Sequence, residues 1–242
     1  MQELFKYRDF VVIGAGIYGL YAANLLCQKN FTITLLEFDD RPFSRASYIN
    51  QARVHNGYHY PRSLSTAITS AQYFRRFIED YSTAINKSFK QIYAISNRNS
   101  YTSSKQFMKF CYTCNIPISE VDPNIYFNPG TVEGAFETEE FAFDGKMLMN
   151  ILVERNKQYS KLEVLFSRHI VSAEKDNEFY YLILSDGIKI KTRGVINATY
   201  ASINQVLQLF DFELYTIKYE IAEIILAEAH GKLDNLGITV MD

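Results

Sequence analysis

Two stretches of this chain carry residue types at spacings that could do chemistry. The first is Gly14-Ala15-Gly16-Ile17-Tyr18-Gly19, a G-x-G-x-x-G run, with Glu37 placed 18 residues beyond Gly19. Gly14 permits a tight turn, Gly16 lets the backbone come close to a pyrophosphate, and Gly19 lets a following helix pack closely on a strand. A helix starting at Ile17 turns its free N–H groups toward phosphate, and a carboxylate at Glu37 can accept from ribose hydroxyls. That chemistry is dinucleotide recognition. The second stretch, 43–62, has little periodicity but holds Arg45, Arg53 and Arg62, His55 and His59, and Tyr48, Tyr58 and Tyr60. Long irregular segments in compact domains are functional or disordered, and this one is too aromatic for disorder. It reads as the wall of a site.

The elements that must position these residues follow from the pattern. Residues 10–13 form an unbroken apolar run, as in a strand buried on both faces. Leu20, Ala23, Asn24 and Cys27 then recur at helical spacing, and 32–36 form a second strand ending on Glu37. Ser63 can cap a helix whose Leu64, Ala67, Ile68, Ala71, Phe74, Ile78 and Tyr81 share one face, with Arg75, Arg76 and Glu79 toward water. A strand is expected over 91–95, a short helix over 105–114, and proline-punctuated irregular chain from Pro117 to Gly134. Residues 136–143 alternate enough for one strand, with Glu139 and Glu140 as solvated strand-end residues, and Asp144 caps a helix carrying Leu148, Ile151 and Leu152. Four short strands over 162–166, 170–173, 179–184 and 188–191 form an excursion with turns at 175–177 and 185–187. After Gly194, Val195-Ile196-Asn197-Ala198-Thr199 returns the chain to a buried core strand. Residues 214–226 and 237–241 read as further strands.

Composition narrows the class of protein. The 242 residues are 48% hydrophobic and 21% charged with a formal charge of -2, an ordinary globular balance with no basic field for nucleic acid or anionic membrane. Tyrosine and phenylalanine number 18 each and tryptophan is absent, which suits large aromatic cores or pockets but names no ligand. Cys27 falls on the apolar helix face as a small core residue. Cys111 and Cys114 make a lone C-x-x-C, too few ligands for zinc, and no metal is expected. The charged start, with Glu3, Lys6, Arg8 and Asp9, is neither signal peptide nor membrane span. Three thiols without a disulfide framework then predict a cytoplasmic chain, in which the sequon at Asn197 is irrelevant. His169 and His230 read as structural or exposed.

Taken together, three separated motifs resemble the D-amino-acid-oxidase-like superfamily of FAD-dependent oxidoreductases, and within it glycine oxidase and L-2-hydroxyglutarate dehydrogenase. They are Gly14 to Gly19 with Glu37, the loop holding Ala46, Ser47, Asn50 and Val54-His55-Asn56-Gly57-Tyr58, and Val195 to Thr199. The resemblance implies an α/β fold. A Rossmann-like FAD-binding domain, with a central parallel sheet and a small antiparallel excursion, would take 1–82 and 140–205. An α+β substrate domain with an antiparallel sheet would take 83–139 and 206–242. It also implies that Gly14, Gly16, Ile17 and Gly19 hold the FAD pyrophosphate and Glu37 the adenosine ribose. Arg45, Ala46, Ser47 and Asn50 would lie by the pyrophosphate and flavin, Ile170 by adenine, and Ala198 and Thr199 at the adenosine–phosphate end. The reaction implied is hydride removal from the α carbon of a small amino acid or 2-hydroxy acid. His55 or His59 would serve as base, Arg62 as clamp for the substrate carboxylate, and Tyr58 and Tyr60 as pocket walls. Tyr200 stands where the family has glycine. The family also runs on for about a hundred residues past Asp242, so the sequence reads as shortened, with the missing segment absent or supplied by another chain or an oligomer. Two other readings stay open: a nicotinamide-dependent dehydrogenase, which Glu37 would serve equally well, and a catalytically silent binding module.

Overall fold

The structure is a computed structural model that describes residues 5–228, 231 and 233–241; Glu3 and His230 lie outside the described residues. In chain order the elements are β1 (Lys6–Ile13), α1 (Ile17–Gln28), β2 (Ile33–Leu36), β3 (Arg53–Val54), α2 (Leu64–Asp80), β4 (Ile85–Asn86), β5 (Lys90–Ser96), α3 (Ser104–Thr113), β6 (Ile118–Val121), β7 (Val132–Thr138), β8 (Phe141–Phe143), α4 (Gly145–Lys157), β9 (Leu162–Leu165), β10 (Ile170–Lys175), β11 (Tyr180–Leu184), β12 (Lys189–Asn197), α5 (Ile203–Leu209) and β13 (Leu236–Met241). They form two compact units, Met1–Asn50 with Gly145–Ile224, and Gln51–Asp144 with Ile225–Asp242.

The first unit is a six-stranded sheet in the order β10-β11-β12-β1-β2-β9. β12, β1, β2 and β9 run parallel, and β11 and β10 continue antiparallel from β12. Val11, Val12, Ile33, Leu35 and Leu36 are buried, as parallel strands covered on both faces require. A polar clasp joins α1 to α4: Asn156 Nδ2 donates to the Leu20 carbonyl at 3.0 Å, and Asn24 Nδ2 to that of Arg155 at 3.4 Å. The two NH2 groups thereby recover bonds lost on burial, whereas Asn156 Oδ1 has no partner among the described residues.

The second unit holds a four-stranded sheet, β13-β5-β7-β6, and a three-stranded one, β3-β8-β4. Phe107, Phe110 and Cys111 of α3 pack with Tyr93, Ile95 and Phe136 of β5 and β7. Phe74 and Ile78 of α2 pack with Val54 and Phe141. α3 begins with a capping box in which Ser103 accepts from the Gln106 N–H and Gln106 accepts from that of Ser103. Burial pushes the Cys111 thiol up to about 12, so it and Cys114 are inert core groups rather than a reactive pair.

Several expectations are corrected. β3 and α2 belong with the second unit, not with the cofactor domain, because β3 pairs with β8 and α2 covers both. Residues 206–224 belong with the first unit, where Leu209 and Phe210 pack on Ile170 and Leu182. Residues 136–143 are two strands that break at Glu139 and Glu140. β9 is not part of the antiparallel excursion, since it pairs parallel with β2, and β12 runs unbroken through Gly194. The proline-rich stretch contains β6, and α5 follows Tyr200. Residues 214–226 alternate as strands do, yet they are irregular, exposed and in no sheet. Alternation decides which side chains share a face, whereas a strand also needs a partner for its N–H and C=O groups. No helix among the described residues is long and apolar enough to cross a membrane.

Candidate functional site

In the first unit the glycine turn sits at the C-terminal end of β1, where the sheet delivers it to the start of α1. Gly14 has a φ of +101°, which favours glycine, and a Cβ there would stand 2.8 Å from the Ala198 carbonyl oxygen. A Cβ on Gly16 would lie 2.7 Å from Ser47 Oγ, and one on Gly19 would be driven into the Gly14 carbonyl. The turn is tied down from both neighbouring strands. Gly14 N–H donates to the Leu36 carbonyl at 2.7 Å, and Ala198 N–H to that of Ile13 at 2.9 Å. Gly16 caps α1 without a side chain and the first turn carries no acid, so that end is left electropositive and open. Ser47 Oγ accepts from Ile17 N–H at 3.0 Å, which sets its hydroxyl hydrogen free to donate to a bound anion.

Glu37 points into the turn. Its Oε2 accepts from Ala15 N–H at 2.6 Å and its Oε1 from Asp39 N–H at 3.0 Å. Its own carbonyl accepts from Arg168 N–H at 3.0 Å, which fixes the corner before β10 beside it. Phe38, 61% exposed, and His169 face one another there at 5.5 Å between ring centroids. Ile170 is buried at the start of β10, and Ala198 and Thr199 lie against the turn. Arg45 forms a two-bond pair with Asp39, at 2.8 and 3.0 Å, over the Phe38 ring. That pair holds the Asp39 carboxyl below its usual range. Asn50 donates to the carbonyls of Ala46 and Ser47, so it shapes this loop. Tyr200 adopts a φ of +53° with its ring exposed, so the glycine-like backbone is kept although the residue is tyrosine.

The second unit gathers the other candidates. The loop at 54–58 is pinned by Ser70 Oγ on the His55 carbonyl at 2.8 Å and by Asn56 Nδ2 on that of Glu139 at 3.1 Å. Gly57, at a φ of +101°, lets it lie against Ala67 of α2. His55, with 32% of its side chain exposed, directs Nδ1 at Glu140 Oε1, 3.1 Å away. Tyr93 donates to Glu140 Oε2 at 2.7 Å, and Arg53 Nη1 lies 3.7 Å from that oxygen and 3.4 Å from the Tyr93 hydroxyl. His59 stacks on His55 at 5.7 Å; desolvation, then repulsion by His55 and Arg53, lowers its pKa.

Three expectations change here. Glu140 is not solvated: it is 2% exposed and forms the centre of this group. The parity of the strand pattern carried the signal, since Phe136, Thr138 and Glu140 are all buried at two-residue spacing. Tyr58 is not a pocket wall either. It is fully buried, donates to the Pro117 carbonyl and accepts from Glu139 N–H at 3.2 Å, and burial raises its pKa. Arg62 is exposed and stacks on Tyr101 at 5.2 Å, while Arg53 is the guanidinium that shares Glu140 with His55. Among the described residues no group of three or more His, Cys, Asp or Glu is placed to hold a metal.

A family model described as FAD dependent oxidoreductase matches residues 9–239. Over 113 residues, 47% of this chain and 31% of the relative, the sequence is 30% identical to the FAD-dependent monooxygenase FPY4 of Fusarium mangiferae. The fold is similar to FAD-bound L-alpha-glycerophosphate oxidase of Mycoplasma pneumoniae, with a TM-score of 0.71 at 17% identity over 86% of this chain and 58% of that one. It is also similar to glycine oxidase of Geobacillus kaustophilus, with a TM-score of 0.65 at 12% identity over 81% of this chain and 56% of that one. The chain thus spans little more than half the length of these solved structures.

Proposed function

We propose, since this chain belongs to the FAD-dependent oxidoreductase family, that it oxidises the hydroxyl-bearing carbon of a small 2-hydroxy acid. The residues present fit FAD. Gly14, Gly16, Gly19 and the first amides of α1 would hold the pyrophosphate, with Ser47 donating to it. Glu37 would take the adenosine ribose, and the corner at 168–170 with Phe38 would meet adenine. When bound, FAD supplies the hydride acceptor that no side chain offers.

The observation favouring a hydroxy acid is the state of His55. Its Nδ1 is engaged by Glu140, while its Nε2 has no hydrogen-bond partner among the described residues. An alcohol must lose its O–H proton as its carbon loses hydride, whereas a neutral amine needs no base. His55 Nε2 is built to take that proton. Arg53 would hold the substrate carboxylate, because its contacts to Glu140 and Tyr93 are long and leave most of its five donors for another anion. His59, stacked on His55 and with its pKa lowered, would keep the neighbourhood of the base neutral.

The test is anaerobic addition of a panel of 2-hydroxy acids and 2-amino acids to the FAD-loaded protein, followed by visible flavin absorbance. Hydroxy acids should bleach it. Arg53→Ala should raise the concentration needed about tenfold or more, the value of a lost charged hydrogen bond, and Arg62→Ala should leave it unchanged. Bleaching by amino acids alone would replace the hydroxy-acid reading.

A further inference from the structure

We infer that Glu140 is a positioning residue that sets which nitrogen of His55 carries the proton. The inference rests on the reading of His55 as a base, and it deepens that reading. Glu140 has two oxygens with separate duties. Oε2 accepts from Tyr93 at 2.7 Å with Arg53 Nη1 at 3.7 Å, which leaves Oε1 to face His55 Nδ1 at 3.1 Å. A carboxylate can only accept, so Nδ1 must carry the hydrogen and Nε2 must be the bare nitrogen. Free neutral imidazole favours the opposite tautomer, so the structure holds His55 in its minor form. The His59 ring at 5.7 Å and the Tyr60 ring at 6.1 Å stand by His55, and Arg53 faces the same carboxyl; none of the three is an anion that competes with Glu140 for the Nδ1 hydrogen.

The burial of the quartet gives the arrangement its stiffness. Glu140 and Tyr93 are both buried, and desolvation followed by the neighbouring Glu140 raises the Tyr93 pKa, which keeps the phenol a donor. Rotating the carboxyl would break the Tyr93 bond inside the core, where an unmade bond is costly. An acid at this position could have ended a strand in water. Here the inward parity of Phe136 and Thr138 carries on into the break between β7 and β8, and Glu140 meets the ring of His55.

Glu140→Gln makes the inference testable, because the same quartet would then act in reverse. Tyr93 and Arg53 hold the amide oxygen on their own side, so the amide NH2 faces Nδ1 and forces the hydrogen onto Nε2. The readout is the nitrogen NMR signature of histidine-labelled protein at pH 8, where an ordinary imidazole is neutral, with His55→Gln used to assign the signal. The expected result is an Nδ1–H tautomer in the unaltered protein, an Nε2–H tautomer in Glu140→Gln, and a mixture when Tyr93→Phe is added and the amide can rotate. Alongside this, flavin reduction by the hydroxy acid should slow about 100-fold or more with little change in KM, the scale of a lost general base. An Nε2–H tautomer in the unaltered protein overturns the inference without any variant having to fold, as does an unchanged tautomer in Glu140→Gln. A tautomer that inverts with no effect on flavin reduction would uphold the positioning role and overturn the assignment of His55 as base.

Discussion

Gly19→Ala sets two effects of opposite sign against each other. Gly19 lies in the first turn of α1 at an ordinary helical φ, so alanine should gain about 1 kcal/mol from propensity alone. Against this, the new Cβ would be driven into the Gly14 carbonyl. That carbonyl cannot retreat, because Gly14 is held to Leu36 at 2.7 Å and abuts the Ala198 backbone. Overpacking of a rigid contact costs about 1–3 kcal/mol, and this one belongs at the top of that range. The net is a loss of about 2 kcal/mol, which lowers Tm by about 4–8 °C in a chain of this size. Gly16→Ala is the matched comparison. Its Cβ would meet only the movable Ser47 hydroxyl, so its stability should stay within about 1 kcal/mol of the unaltered protein. Its FAD affinity should nevertheless fall, because the methyl occupies the approach to the phosphates and dislodges Ser47 from Ile17 N–H. Thermal melts and FAD titrations of both variants give the ranking. The turn is not rigid if Gly19→Ala melts at or above the unaltered protein, or if Gly16→Ala is the less stable of the two.

Three further outcomes are expected. Tyr200 holds a φ of +53° at a cost of about 1 kcal/mol with its ring 79% exposed, so Tyr200→Gly should melt above Tyr200→Ala, which keeps the strain; the reverse order in thermal melts would contradict this. Tyr58→Phe strips the Pro117 carbonyl and Glu139 N–H of a buried partner and should cost about 1–3 kcal/mol in urea unfolding. Its rate of flavin reduction should be unchanged, and a large loss of rate would return Tyr58 to the site. Asp9 accepts from Thr32 N–H at 2.8 Å and Thr32 Oγ1 at 2.7 Å, and these bonds, the backbone one foremost, lower its pKa in the folded state. A depressed folded pKa contributes stability that is present above the unfolded value near 3.9 and lost as pH falls through the folded one. Asp9→Asn should therefore show a shallower fall of Tm between neutral and strongly acid pH, and parallel curves would remove Asp9 from the acid transition.

The glycine turn of the first unit was legible because its requirements are local. A turn, a helix start and a strand-end acid lie within 10–37, and each is forced by backbone geometry that glycine or a carboxylate alone satisfies. Ser47 was legible only through resemblance, and its bond to Ile17 N–H depends on how the loop folds back. The buried quartet of the second unit was less legible. Arg53, His55, Tyr93 and Glu140 come from β3, the loop after it, β5 and the β7–β8 break, and long-range pairing rather than spacing brings them together. Tyr58 misled because a tyrosine in a histidine-rich loop looks like a wall, yet its hydroxyl is spent on two backbone groups. Arg62 misled for the opposite reason, since its neighbour in space is the Tyr101 ring. The two glutamates at 139 and 140 looked like a solvated end, although strand parity already placed the second beneath Phe136 and Thr138.

The most direct test of the central claim is calorimetric titration of the protein with FAD, FMN and ADP. If Glu37 and the turn at 14–19 hold the adenosine diphosphate half of the cofactor, FAD binds at one per chain, ADP competes with it, and FMN, which lacks that half, does not. FMN binding as tightly as FAD, or folded protein that ignores ADP, would contradict it.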